Sequence, residues 1–259
     1  MSFKSILDVV EARIPSRREL AAKLMTDYAN VSITDVKVEN VMNGMRGLPG
    51  LLWEISETDE SGGKYHGKSL RELEALSPKW QSSDQISPEA MLWFLYTAAI
   101  PTRAQLEHFV GDLVRRAELP EDVKKFCDSI PLELPPSTHM ILTLPILSRH
   151  SKFAAAIESG SVPKTELWRY NFEDALDITA RLPILAARVY SNIYHQGRHH
   201  DLSLDASADI SHNFAIRMGR GSDTDFIELT RLTWALHMDN GPNVGAHAVR
   251  EYLYPLFPL

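Results

Sequence analysis

The chain has 259 residues, 44% of them hydrophobic, with 27 basic against 34 acidic side chains and a formal charge of −7. That length allows one large domain or two small ones with a full core, while 13 glycines and 15 prolines are too few for a collagen-like or disordered chain. The acidic balance opposes non-specific nucleic-acid binding, no run reaches the ~18 apolar residues of a membrane span, and one cysteine, Cys127, excludes an internal disulfide framework and a cysteine-rich metal site.

The N-terminus MSFKSILDVVEARIPSRR is amphipathic and mixed in charge. It lacks the apolar core of a secretory signal, and its acidic residues suit a mitochondrial presequence poorly. The expectation is a soluble intracellular protein of the cytoplasm or mitochondrial matrix. Residues 3–28 predict two helical pieces divided at Pro15, with Ile6, Val9, Val10 and Ile14 on one stripe and Leu20, Leu24 and Tyr28 on the next. Residues 33–68 read as a small β-ribbon. Ile33, Val36, Val38 and Val41 are β-branched, Leu51, Leu52, Trp53 and Ile55 follow a glycine-rich turn, and Gly62–Gly63 marks a second turn.

Helical signals then dominate. Ser87, Pro88 and Glu89 supply an N-cap, a first-turn proline and an acid ahead of AMLWFLYTAA. Thr102 with Gln105 is a capping box, and behind it Leu106, Phe109, Val110, Leu113 and Val114 share a face. Gly160 ends the helix containing Phe153 to Ile157. Residues 164–196 form a long apolar-periodic stretch, with Pro183 as a break or kink and Gly197 as its stop. Ser222 with Asp225 forms a capping box for FIELTRLTWALHM. Strands do not alternate with helices, which argues against a parallel α/β fold. The predicted class is all-α, mainly helical, with a small N-terminal β-ribbon.

Several motifs carry chemistry in other settings. Gly62 to Ser69 satisfies G-x-x-x-x-G-K-S, whose backbone N–H groups, lysine and serine would hold phosphates and Mg²⁺. A polar run, Ser56–Ser61, stands where a buried strand should precede it, so a β-turn leading into the helix Leu70–Leu76 is expected instead. His195, His199, His200 and Asp201 are metal-ligand types, but Gly197 interrupts them and a polar loop without metal is expected. Cys127 in KKFCDS reads as a half-buried helical thiol. The adjacency of Ser211 and His212 does not produce triad geometry.

Two segments remain open. Gly44 to Gly50 places glycines at spacing three around Arg46, either to meet a phosphate or carboxylate bidentately or as a turn with an exposed arginine. His237 to His247 follows a periodic helix with a turn at Asn240–Gly241 and Pro242 suited to a new helix. It is either an anion site at a helix junction or an ordinary corner with polar caps.

In this order and separation, ENVMNGMRGLPGLLWE, LWFLYTAAIPTRAQ, RYNFEDALDITARLPILAARVYSNIY, SHNFAIRMG and FIELTRLTWALHMD resemble citrate synthases of the eukaryotic type, including the alkylcitrate synthases. The resemblance runs from about Ser2 to about His247 and implies the N-terminal part of the family's large helical domain, residues 1–247, with a divergent apolar tail at 248–259. It implies condensation of acetyl-CoA, or another acyl-CoA, with oxaloacetate to citrate, or an alkylcitrate, plus CoA. In the family an aspartate deprotonates the acyl carbon, one histidine stabilises the enol and another polarises the oxaloacetate carbonyl. No counterpart of those catalytic residues, nor of the small catalytic domain, is recognised here, so no catalytic residue is assigned and the chain alone is expected to be inactive. His237, Asn240, Asn243 and His247 match the substrate-binding junction, with Asn240 in place of a histidine that contacts oxaloacetate. Arg46 and Lys164 match positions near the CoA phosphates. Neither a resident cofactor nor a metal is implied, nor nucleic acid or a membrane; the partner implied is a second copy, through large-domain helices such as 164–196 and 222–238.

Overall fold

A computed structural model describes residues 4–44, 48, 55–59, 62–81, 83–198 and 202–239. In chain order the elements are α1 (Ile6–Tyr28), α2 (Val38–Met42), β1 (Ser56–Asp59), β2 (Gly62–Tyr65), β3 (Lys68–Ser69), α3 (Leu70–Leu76), α4 (Pro88–Thr97), α5 (Arg103–Arg116), α6 (Glu121–Ser129), α7 (Pro136–Leu147), α8 (Lys152–Ser159), α9 (Leu167–His195), α10 (Ile210–Arg217) and α11 (Thr224–Leu236). Single 3₁₀ turns at Ser148–His150 and Lys164–Glu166 precede α8 and α9. Helix dominates, and the described sheet is an antiparallel ribbon in the order β1-β2-β3, in agreement with the mainly helical class.

The core gathers around α4, α5 and α9. In α4 nearly every residue is buried, as an uninterrupted apolar run demands. Ser87 caps it by accepting the Ala90 N–H, and the predicted Thr102–Gln105 box opens α5. The α5 stripe from Leu106 to Val114 is buried as spaced, and Phe109 meets Trp93 edge to face at 5.7 Å between ring centroids. Helix α9 packs against α5, α7, α8 and α10. Arg116 of α5 bonds Asp112, Glu173 and Asp177 at 2.6–2.8 Å, and Lys152 reaches the same two α9 carboxylates.

Several sequence expectations change. Helix α1 runs unbroken through Pro15, against the expected division into two pieces; α9 is one helix with Pro183 inside it, as the long 164–196 stretch predicts. An interior proline costs about 3 kcal/mol, which tertiary packing offsets: Ile6, Val9 and Val10 dock α1 on the core, and Ile184, Leu185 and Val189 are buried beyond Pro183. Among the described residues the ribbon is narrower than 33–68: its strands lie between Ser56 and Ser69, Val38–Met42 is helical, and Ile33, Val36 and Val41 are exposed outside any described strand, while Leu51, Leu52 and Trp53 lie outside the described residues. The cap of α11 is Asp223, whose side chain accepts the Phe226 N–H, rather than Ser222. Cys127 is fully buried, and burial pushes its thiol up, away from the reactive thiolate. The second α1 stripe, Leu20, Leu24 and Tyr28, is exposed among the described residues.

The P-loop match is a hairpin. Tyr65 pairs with Lys68 across the two-residue turn His66–Gly67, where both φ angles are positive (44° and 77°) as a type I′ turn requires. Ser69 then caps α3: its Oγ accepts the Glu72 N–H while Glu72 accepts the Ser69 N–H at 2.7 Å. The serine that a P-loop would turn toward Mg²⁺ is committed to starting a helix, as the expected β-turn and helix Leu70–Leu76 have it.

Candidate functional site

One stripe of α4 borders two cavities. Pro88, Glu89 and Leu92 face the first, and Leu95 and Tyr96, on the same side at helical spacing, face the second.

The first cavity, about 470 Å³, lies among α4, α5, α7, α9, α10 and α11 and is mainly apolar, with Leu92, Phe214, Trp234 and Met238 in its walls. Thr179 and Pro183 of α9 also line it, and the proline has no N–H to return to the Thr179 carbonyl. Two polar groups stand out. Glu89 is buried; its Oε2 accepts the Ser87 hydroxyl at 2.7 Å and its Oε1 the Ile210 N–H at 3.1 Å, so it also helps start α10. Burial, with the neighbouring Asp209 carboxylate adding to it, pushes the Glu89 carboxyl up to about 7. Asp209 is itself fully buried, caps α10 through the His212 N–H, and is paired with Arg231 of α11 at 2.6 Å.

His237, the second polar group, follows the last turn of α11. Its Nδ1 lies 2.8 Å from the Thr233 carbonyl, which can only accept, so Nδ1 carries the proton. The neutral ring then offers Nε2 as an acceptor, and only the protonated ring donates from Nε2 to an anion. Next to it, Asp239 accepts the Ser56 hydroxyl, tying this junction to the hairpin. Burial, then the Asp239 charge, raises the Tyr65 phenol.

The second cavity, about 370 Å³, lies between α1, the hairpin, α4 and the turn before α9. Arg13, Arg17, Arg18 and Lys164 line it together with His66, Tyr96 and Trp168, and the described lining contains no Asp or Glu. Arg13 donates to the Tyr96 carbonyl at 3.3 Å, and burial with the nearby Arg17 charge lowers its pKa. The His66 Nε2 donates to the Leu95 carbonyl at 2.9 Å and holds the hairpin tip against α4.

Of the six binding residues expected from sequence, Lys164 lies on the cationic cavity and His237 on the apolar one, so the structure does not bring these two together. Arg46, Asn240, Asn243 and His247 lie outside the described residues, as do His199, His200 and Asp201 of the histidine loop. Among the described residues no group of three or more His, Cys, Asp or Glu is arranged to hold a metal ion, and no helix is long and apolar enough to cross a membrane. Sequence reading missed Glu89 as a buried acid, although an acid inside a wholly apolar helix was the available signal. It also missed the α1 arginines, whose spacing is that of any exposed helix face.

Comparison with known proteins decides the family. Residues 44–252 match the model of the citrate synthase C-terminal domain. The chain belongs to the citrate synthase family. Among its relatives, the mitochondrial 2-methylcitrate synthase of Fusarium solani is 38% identical over 239 residues, which is 91% of this chain and 50% of that protein. The mitochondrial citrate synthase of Saccharomyces cerevisiae is 38% identical over 236 residues, 90% of this chain and 48% of the yeast protein. The crystal structure of citrate synthase from Thermotoga maritima superimposes with a TM-score of 0.57 at 19% identity, covering 83% of this chain and 51% of that one, a likeness of fold. The chain thus spans about half the length of the citrate synthases it matches.

Proposed function

We propose that this protein is the acyl-CoA-binding helical part of a citrate-synthase-type acyltransferase. The reaction joins the acyl α-carbon of acetyl-CoA, or a longer acyl-CoA, to the carbonyl carbon of oxaloacetate and then hydrolyses the thioester to citrate, or an alkylcitrate, and CoA. The observation that carries this reading is the placement of Lys164. The resemblance aligns it with a CoA-phosphate position, and among the described residues it lines a cavity together with Arg13, Arg17 and Arg18. Arg46 is proposed to join it. His237, Asn240, Asn243 and His247 are proposed to face oxaloacetate, with Asn240 supplying a neutral donor where the family has a histidine.

The condensation requires a carboxylate base and donors aimed at the enolate oxygen in a dry site. These 259 residues carry no recognised counterpart of the family's catalytic aspartate or of its two catalytic histidines. The chain by itself therefore binds acyl-CoA without turning it over. Exposed Ile141, Leu142 and Leu144 on α7 and Ile178 on α9 support association with a second copy through large-domain helices.

Purified chain mixed with oxaloacetate and either acetyl-CoA or propionyl-CoA is expected to release no thiol above the blank lacking protein. Both acyl groups belong in the assay, because the citrate and 2-methylcitrate synthases match at the same identity. Release of CoA in excess over protein contradicts the proposal, and the better acyl donor then names the specificity.

A further inference from the structure

We propose that residues 252–259 of this same chain cover the apolar cavity among α4, α5, α7, α9, α10 and α11, laying aromatic and aliphatic side chains against Leu92, Phe214, Trp234 and Met238. The inference is independent of the acyl-CoA reading, which concerns the other cavity.

Left open, the apolar walls of this cavity of about 470 Å³ would stand against water, which is unfavourable. Its described lining contains no Lys or Arg, so nothing there recruits an anion, and a mainly apolar occupant fits. His237 and Met238 line it, Asp239 follows, and residues 240–259 lie outside the described residues, so the chain sets off toward them from the cavity's rim. Tyr252, Leu253, Tyr254, Leu256, Phe257 and Leu259 are aromatic or aliphatic, the two residues between them are prolines, and the stretch carries no charged side chain. The family-model match stops at residue 252, so the residues from Leu253 on fall outside it. Fully extended, residues 240–251 reach about 40 Å, so distance is no obstacle. Pro255 and Pro258 have no N–H, and burying this stretch therefore strands fewer backbone donors than burying an ordinary one. A tyrosine brings an apolar ring and a hydroxyl able to donate to the Glu89 carboxylate or the Thr179 carbonyl. Cavities of roughly 300–1,000 Å³ hold one small ligand, so a few of these side chains fill this one. Tethering decides the occupant: a segment on a short linker meets its site at an effective concentration on the order of millimolar, well above that of a second copy in dilute solution.

The test attaches bimane, a fluorophore quenched by tryptophan at short range, to the full chain through L259C; Cys127 is fully buried and stays unlabelled. Emission is read in L259C, L259C/W234F, L259C/W168F and L259C/L256D/F257D, with circular dichroism to check helicity. Trp168 lines the other cavity and serves as the control. Expected is quenching in L259C that is relieved by W234F, kept in W168F and lost with L256D/F257D, at every protein concentration. Unlabelled L256D/F257D is expected to bind the dye ANS severalfold more than the parent, because the cavity walls are uncovered. Emission that W234F leaves unchanged overturns the proposal, as does quenching relieved by W168F instead. Quenching that grows with protein concentration also overturns it, in favour of a second copy as the occupant. If W234F loses its helical signal, L259C against L259C/L256D/F257D decides, and equal quenching in those two overturns the proposal.

Discussion

Replacing Arg231 with methionine is expected to lower the unfolding free energy by about 3–5 kcal/mol, the usual cost of stranding a buried charge. Asp209 is fully buried, and its Oδ2 takes a 2.6 Å bond from the Arg231 Nε. Arg231 also pairs with Glu228, which accepts the Ser83 hydroxyl at 2.7 Å, so the guanidinium holds α11 to the N-terminus of α10 and steadies the carboxylate that ties α11 to the segment before α4. Methionine preserves much of the arginine volume but removes the cationic partner of the buried Asp209 side chain. Urea unfolding followed by circular dichroism reads the change. The double variant D209N/R231M should recover part of the loss, because the two residues act as a pair. A loss under about 1 kcal/mol in R231M, the range of an exposed ion pair, would contradict this role.

The second large effect is a pH dependence carried by Glu89. Its carboxyl moves from an ordinary 4.5 to about 7 in the folded protein, through burial first and the Asp209 charge second. Below pH 4.5 the group is protonated in both folded and unfolded chains and costs nothing. As pH rises through 4.5 the unfolded chain releases the proton while the folded chain keeps it, so stability falls until the folded carboxyl also ionises near 7. The loss across that window is about 3 kcal/mol. Carboxylates held low, such as Glu173 beside Arg116, act in the opposite sense at lower pH. The difference between the parent and E89Q therefore isolates the Glu89 contribution. E89Q keeps a side chain that both donates and accepts near Ser87 and Ile210, and its stability should fall less between pH 5 and 8 than the parent's. Parallel profiles would show that Glu89 does not titrate in that window.

Local chemistry made much of this fold readable. Ser87–Pro88, Thr102–Gln105 and Gly160 mark helix ends because capping involves only near neighbours, and the structure places all three as spaced. The α5 stripe is equally local. Pro15 misled because its cost is intrinsic while the compensating contacts come from distant helices. Ile33, Val36 and Val41 look like strand residues, yet β preference is realised only against a partner, and none is present among the described residues. The site divides in the same way. Resemblance alone singled out Lys164, whereas Arg13, Arg17 and Arg18 come together with it only when α1, the hairpin and the turn before α9 enclose one cavity. Glu89 appeared as a first-turn acid and became a buried one through α10, more than a hundred residues along the chain.

The central claim is that the cationic cavity at Lys164 holds acyl-CoA. Calorimetric titration of the chain with acetyl-CoA, beside K164Q, tests it most directly. Saturable binding of one ligand per chain is expected, weakened about tenfold in K164Q by loss of a charge-assisted phosphate contact and weakened again by added salt. Binding absent from the folded chain, or equally tight in K164Q, would contradict it.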